Sequence, residues 1–576
     1  MQKQKTTQVG SSPPPSEGSG EAVSFWRGLV GLIYIALFFL AFGCRKNDQF
    51  DPASVSFGYN SIKINELSSG TSFKGLNEMP VIKMAFNTKI DQTTAKIAIT
   101  LTDKSTTTVP LNISFENSDS VISVKPVSIL NNLTNYTFIV SNSLKSQAGG
   151  RLSSPVSLSL TTGVDLTDKY ETISKDSLLT LVQKQTFKYF WNLGHQVSGM
   201  ALERNTSGDI VTSGGTGFGI MAIPVAINRK FISRADGLAR VQQIVNFLTN
   251  KAARFHGAFS HWINGTTGAV VPFGEKDNGA DIVETSYLMM GLLTARQYFD
   301  GSSVAEVKLR TDINALWDAV EWDWFRKGGE NMLYWNWSAD YGFAVNVPVR
   351  GWNECLITYV LAASSTTHPV DKVVYDTGFA KNGAIKNGNS YYGIQLPLGE
   401  ALGGPLFFEH YSFLGINPFG LSDAYANYQA QAVNHSKINY AYCKDNPQKY
   451  YGYSENCWGL TASDIKDGYT ASSPTNDQSF IAPTAAICSM PFTPEESIQA
   501  LNFFYYKLGD KIWKQYGFVD AFSLDKIWFA DSFLAIDQGP QIGMIENYRS
   551  GLLWKLFMSC PEVQAGLTKL GFTYKL

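Results

Sequence analysis

Charge is scarce in this chain. Only 17% of its 576 residues are charged, and 47 Lys and Arg against 49 Asp and Glu leave a net charge of -2. With no basic half, a nucleic-acid binder is excluded. Histidine and cysteine are sparse too, six of each. They are scattered without an HExxH, a CxxC or a zinc-type spacing, so no structural or catalytic transition metal is expected, and no other cofactor. No GxSxG elbow, phosphate-cradling glycine loop or Ser-His-Asp order is present, which removes the common nucleophilic and nucleotide chemistries. Hydrolysis by carboxylates is what remains. Apolar residues, in contrast, make up 44% and aromatics 13%, with 13 Trp and 50 Gly. Global disorder is excluded, and the composition suits a loop-rich exported protein that handles neutral polar ligands. At this length two or three domains are expected.

Residues 24–44 read SFWRGLVGLIYIALFFLAFGC, with Arg27 ahead of an apolar run from Leu29 to Phe42. The run is shorter than the roughly 20 residues of a membrane span, so residues 1–43 read as an export segment. Its end resembles a lipobox, in which Gly43 precedes a lipidated Cys44, although Phe42 is bulky for its place. Residues 44–56 then form a linker. The expectation is an envelope lipoprotein, held by this anchor alone at the outer membrane, on a face the sequence leaves open. The remaining cysteines are Cys355, Cys443, Cys457, Cys488 and Cys560, an odd number. Cys443 and Cys457 share one loop-like segment and could pair, whereas Cys355 and Cys488 sit in apolar runs and read as buried thiols.

From about 57 to 164 the hydrophobic period is two. Ile97, Ile99 and Leu101 alternate with Lys96, Ala98 and Thr100, as do Tyr136, Phe138 and Val140, and Val156, Leu158 and Leu160, with neighbours that face the other way. Turn residues recur between these half-buried strands, so the region reads as a small all-β sandwich. Its Val124-Lys125-Pro126, Leu130, Tyr136 and Thr161-Thr162 resemble the bacterial Ig-like domain found behind lipoprotein anchors, which implies a spacer. It has no Trp with which to stack on a sugar ring.

After Asp165 the period becomes helical. Leu178, Val182, Thr186 and Phe190 form one stripe, Leu238, Val241, Val245 and Leu248 a second, and Ile313, Leu316, Trp317 and Val320 a third. Between them lie segments apolar on all sides: 282–295, 355–363 and 482–488. Outer amphipathic helices alternating with inner apolar ones over residues 165–576 suggest two concentric layers, an all-α (α/α) toroid.

Polar residues just ahead of the inner helices are therefore the candidate site. Asp277, Asp281 and Glu284 precede the most apolar helix, at spacings that put them near one face. Crowded carboxylates cannot all ionise freely, so at least one becomes a usable proton donor or acceptor. Asp281-x-x-Glu284 reads equally well as a capping box. Glu354 stands in Trp352-Asn353-Glu354 before another apolar helix, where an acid is also favoured by the macrodipole alone. An aromatic face beside an amide and a carboxylate is what a pyranose needs. Loop aromatics Trp262, Trp335 and Trp337 are further candidates, and so are Asp537 and Gln538 and, in Glu546-Asn547, Glu546. Asp537 reads also as a turn residue and Glu546 as a cap. Asn476-Asp477-Gln478 lies ahead of a helix.

Taken together, Asp277-x3-Asp281-x2-Glu284-Thr285, Trp352-Asn353-Glu354, Asp537-Gln538-Gly539-Pro540 and Glu546-Asn547-Tyr548-Arg549 resemble the glycoamylase-like domain of glycoside hydrolase family 144, the bacterial β-1,2-glucanases. The resemblance implies an (α/α)6 toroid and an inverting, cofactor-free hydrolysis of β-1,2-glucan or sophorooligosaccharides. It implies catalytic and subsite acids at Asp277, Asp281, Glu284 and Glu354; substrate contacts are expected from Trp352, Asn353, Trp262, Trp335, Trp337, Asp537, Gln538 and Glu546, and a monomer is expected. Transfer on β-1,2-glucan and a non-catalytic glycan-binding lipoprotein are the alternatives. An inverting pair needs its carboxyls about 6.5–9.5 Å apart, whereas helical neighbours lie about 5–6 Å apart at Cβ. Glu354 is therefore expected as general acid, with the base from Asp277, Asp281 or Glu284.

Overall fold

The computed structural model describes residues 56–67 and 70–575. The export segment and Cys44 lie outside the described residues. The first region holds eight strands: β1 (Tyr59–Ile64), β2 (Ser72–Leu76), β3 (Ile82–Phe86), β4 (Ile99–Asp103), β5 (Leu111–Glu116), β6 (Val121–Pro126), β7 (Asn135–Val140) and β8 (Val156–Thr162). They form two four-stranded sheets, β1-β3-β6-β5 and β2-β8-β7-β4. Among the paired strands described, β2 and β8 run parallel and the rest antiparallel. Alternation decides the faces. Tyr136, Phe138 and Val140, like Val156, Leu158 and Leu160, point into a core shared with Ile82, Met84 and Ile122. One reading needs correction. Gln92–Ala98 is a short helix, α1, capped by Asp91, whose carboxylate accepts from the N–H groups of Thr93 and Thr94. Ile97 is thus 76% exposed on a helix rather than inward on a strand. The cap overrides the alternation, which becomes a strand only from Ile99.

The second region has its own hydrophobic core. Its outer helices are α2 (Lys175–Asn192), α4 (Arg234–Asn250), α6 (Val304–Asp318), α8 (Lys372–Val374, running on to Phe379), α10 (Tyr428–Asp445) and α12 (Pro494–Asn502, running on to Lys507). Its inner helices are α3 (Ser213–Asn228), α5 (Ile282–Tyr298), α7 (Leu356–Ser364), α9 (Phe407–His410, followed by a turn to Leu414), α11 (Pro483–Cys488) and α14 (Ala535–Ser550). Six outer helices alternate with six inner ones, an (α/α)6 toroid. Short α13 (Gly509–Ile512), α15 (Leu552–Met558) and α16 (Pro561–Leu570) complete it.

The inner ring closes through packing of α14 on α3, α3 on α5, α5 on α7 and α11 on α14. The α9 segment fills the remaining place: Ser412 binds the Ile357 N–H of α7, and His410 binds Ser489 just beyond α11. Every residue of α7, and those of α5 from Ile282 to Ala295, is buried, which is why these segments are apolar all round. Helices α3 and α5 touch backbone to backbone at Gly217 and Gly291, where a Cβ would collide with the opposite main chain.

Cys443 and Cys457 are both buried free thiols rather than a disulfide, each set into the core by its own element. Asp477 accepts from the hydroxyls of Tyr442 and Tyr453 and braces α10 against its neighbouring loop.

Candidate active site

The site lies at the N-terminal ends of α3, α5 and α7. A two-residue strand, Ala280–Asp281, pairs with Asn336–Trp337 and runs directly into α5. Asp281 is the N-cap of that helix. Its Oδ1 accepts from the N–H groups of Val283 and Glu284 at 3.0 and 2.9 Å. Its Oδ2 accepts from Trp335 Nε1 at 3.2 Å and faces His261 Nδ1 at 3.1 Å. Both oxygens of Asp281 are thus committed.

The capping box is only half made. Glu284 does not reach back to Asp281; its Oε2 crosses to α3 and accepts the Gly214 N–H at 3.0 Å. Glycine at 214 leaves room for this contact, because a Cβ there would displace the Glu284 carboxylate. Among the described residues, nothing donates to Oε1 of Glu284, which is not sealed. Burial pushes the Glu284 carboxyl up, and Asp281 adds to this against the pull of His261. Asp277, half-buried in the preceding loop, has one oxygen held by Asn336 Nδ2 at 3.0 Å. Burial first and then the Asp281 charge push it up to about 6.

Glu354 stands two residues before α7. Its backbone carbonyl accepts from the hydroxyl of Tyr287, one turn beyond Glu284 on the same helix, and from Ser412 Oγ. Helix α5 therefore carries Glu284 and also fixes the main chain of Glu354. No other residue donates to the Glu354 side chain among the described residues. Burial first, then the Glu284 and Asp281 charges, push its carboxyl up to about 7. A group in that state holds a proton near neutrality and can still give it away.

His261 is a member of the site that the sequence analysis passed over. Its carbonyl accepts the Ser213 N–H at the start of α3, and its ring stacks on Phe273 at 4.2 Å. Burial alone would pull this imidazole down, but Glu284, Asp281 and then Asp277 outweigh it and push it up to about 9. An isolated histidine has no motif around it. The usable signal was Ser260-His261-Trp262, opposite Thr212 in a strand pair that only the fold assembles.

The family described as "Putative glucoamylase" matches residues 346–561, and that described as "Bacterial Ig-like domain" matches residues 66–162. An endo-β-1,2-glucanase from Chitinophaga pinensis, solved with sophorotriose and glucose, is 52% identical. The match covers 70% of this chain and 99% of that one, with a TM-score of 0.69. The chain belongs to the glycoamylase-like glycoside hydrolases of family 144. A β-1,2-glucanase from Parabacteroides distasonis is 36% identical over 89% of this chain and 73% of that one, with a TM-score of 0.68. An exo β-1,2-glucooligosaccharide sophorohydrolase (non-reducing end) of the same organism is 44% identical over 421 residues, 69% of this chain. This chain spans 58% of the length of that curated relative.

In this family 144 chain several expected sugar contacts lie elsewhere. Trp352 is buried in the core with its indole N–H on Glu409, so neither face is open for stacking. Asn353 is not among these: it stays half-buried beside Glu354, and its Oδ1 accepts the Cys355 N–H and shapes the turn into α7. Gln538 is buried, its Nε2 donating to the Phe518 carbonyl. Glu546 sits at the other end of the barrel, where Arg229 at the C-terminal end of α3 grips it at 2.7 Å. Gly214 touches Glu284 at the opposite end, and fifteen residues at 1.5 Å each separate the two by about 22 Å. These corrections share a cause. A one-dimensional motif joins residues near in sequence, whereas a turn of helix sends every second or third side chain inward.

Trp335 binds Asp281 as described. Trp262 is half-buried with its ring 4.8 Å from Phe273. Trp337 lies edge-on to His256 and Trp324, a step away from the acids. Asp537 is buried in the first turn of α14 beside Asp520 and Asp464, and burial with its acidic neighbours pushes it well up. Asp464 is in turn paired with Arg204 at 3.1 Å.

Proposed function

We propose that this glycoside hydrolase cleaves β-1,2-glucan or sophorooligosaccharides with inversion, with Glu354 as general acid. The observation that carries the reading is the Glu354 carboxyl itself: half-buried, without a side-chain partner, and protonated up to about pH 7 beside a cluster of acids. Relatives that act on β-1,2-linked glucans support the substrate. The base, direct or through water, comes from Asp277 or Glu284, each of which keeps one oxygen free. Asp281 is set aside because its two oxygens are spent on the α5 cap, Trp335 and His261, and its part is to orient them. No cofactor enters the reaction as proposed.

Incubation with β-1,2-glucan tests this. New reducing ends with inverted anomeric configuration in the first product are expected. An unsaturated chromophore, glucan transfer without net hydrolysis, or no change at all would refute it. The chain is further proposed to be lipid-anchored in the envelope through Cys44, on the strength of residues 24–44. Cys44→Ala should move it from the detergent phase to the aqueous phase with hydrolysis intact. Persistent membrane association would end the lipobox reading.

A further inference from the structure

The turn that carries Glu354 is gripped from behind by the α9 segment. Ser412 donates to the Glu354 carbonyl and accepts the Ile357 N–H at 3.0 Å. Glu409, wholly buried, gathers three partners on the single oxygen Oε1: Trp352 Nε1 and Gln431 Nε2, which donate to it, and His435 Nδ1, each at 2.8 Å. Its Oε2 is sealed and has no partner. The other ring nitrogen of His435 lies 3.0 Å from the Gly404 carbonyl, a group that can only accept. That ring nitrogen therefore donates, and the opposite one meets Glu409 in a hydrogen bond sealed from water.

A buried polar pair is a poor way to gain stability, since its desolvation cost offsets much of its attraction and apolar packing of equal volume serves as well. What the pair does achieve here is direction. It holds one indole N–H, and that indole is two residues from Glu354. The pocket is shaped for it: Gly403, at φ +99°, lies so close that any side chain would strike the His435 ring.

We propose that Glu409 and His435 are positioning residues for the reaction: by fixing Trp352 they hold the turn so that the Glu354 carboxyl stands free toward the leaving oxygen. This rests on Glu354 being the general acid. Groups that face Glu354 are Glu284 and Asp281 from the start of α5, Tyr287 further along it, Cys355 and Tyr411. Those that face Glu409 are Trp352, Gln431 and His435, with His410 beyond His435. If the grip is lost, water reaches Glu354, its acid constant falls back toward that of an ordinary carboxyl, and the proton leaves at lower pH.

The test uses the full chain and three substitutions: Trp352→Phe, which keeps an aromatic ring and removes the indole donor; Glu409→Gln, which replaces the carboxyl group by an amide; and Glu354→Gln as reference. kcat and KM on β-1,2-glucan are measured across pH, with thermal unfolding alongside. For the first two variants kcat should fall about 10- to 100-fold with KM within about threefold, and the alkaline limb of kcat should move to lower pH. A purely structural role would lower the unfolding temperature and leave that limb in place. Should Glu409→Gln fail to fold, Trp352→Phe and Ser412→Ala leave Glu409 and His435 in place and must still move the limb. Wild-type kcat and an unmoved limb in folded variants, with Glu354→Gln inactive, overturn the positioning role alone. An active Glu354→Gln overturns the acid assignment and this proposal with it.

Discussion

At one end of the barrel Glu354 keeps its carboxyl free of side-chain partners, half-buried before α7. At the other end Glu546 is fully buried in α14, and Arg229, Gln183 and Ser550 all donate to it. Burial pushes both carboxyls up. For Glu354, Glu284 and Asp281 push further and the carboxyl reaches about 7. For Glu546 the donors outweigh burial and hold it below the ordinary carboxylate range. Burial alone therefore does not say what a glutamate is for; the donors around it decide. An unpartnered acid in a cleft can deliver a proton, whereas an acid ringed by donors is a fixed charge that ties α14 to α3.

The largest effect should come from Glu354→Gln, which keeps shape and hydrogen-bonding reach but has no proton to deliver. Turnover on polymer should fall by about 10²- to 10⁴-fold, with less loss on a substrate that carries a good leaving group. Near-wild-type turnover in a folded variant would return the acid role to residues 277–284. Glu546→Gln should do the reverse. It leaves Arg229 facing a neutral amide, so unfolding free energy should drop by about 2–3 kcal/mol while turnover of the folded fraction stays normal. A fall in kcat without loss of stability would show that the two ends of the barrel are coupled.

Acid dependence sharpens the contrast, because the two shifts have opposite signs. Glu354 must be protonated and Asp277 ionised, so with Asp277 as base activity should peak between about 6 and about 7 and fall on both sides. Asp277→Asn would then remove the acid limb, and if that limb stays the base is Glu284. For stability, a raised folded value means that the Glu354 contribution is full below its ordinary 4.5 and is lost as pH rises through about 7. Glu354→Gln should therefore be no less stable than the parent at pH 8. The Glu546 contribution, with its value lowered, is present above the ordinary range and is lost only in acid. Denaturant titrations of the two variants at several pH values would show whether the slopes do oppose each other.

Much of the architecture was legible because burial writes itself into periodicity. The all-round apolar 282–295 and 355–363 could only be inner helices, and the stripe from Leu178 to Phe190 only an outer one. What escaped was set by tertiary geometry. Inner helix α3 hides in Ser213-Gly-Gly-Thr-Gly-Phe-Gly, a glycine-rich run that propensity reads as loop; it is helical because α5 comes close enough to need it. Among site residues, the acids ahead of inner helices stood out from their neighbours. Trp352 did too, but its inward direction depends on Glu409, 57 residues away. His261 acquires its role from three acids that are not beside it in the chain.

The smallest effect on the site is expected from removal of the sandwich. Its described contacts with the helical region are few: the Val164 N–H donates to Tyr451 Oη at 2.9 Å, Lys74 pairs with Asp525 at 2.7 Å, Gly75 lies against the Tyr451 ring, and Leu133 is buried against the helical core. None of these residues touches Asp277, Asp281, Glu284 or Glu354, and each region has its own core. Truncation up to residue 164 would lose one neutral hydrogen bond, one partly exposed ion pair and the burial of Leu133, together worth about 3–5 kcal/mol at most. The unfolding temperature should fall, and kcat on β-1,2-glucan should stay within about twofold. Tyr451→Phe in the full chain isolates the hydrogen bond and should cost about 1 kcal/mol or less. A truncated protein that is soluble and folded yet inactive would mean that the sandwich shapes the cleft, and that the spacer role implied by its resemblance to the bacterial Ig-like domain is wrong.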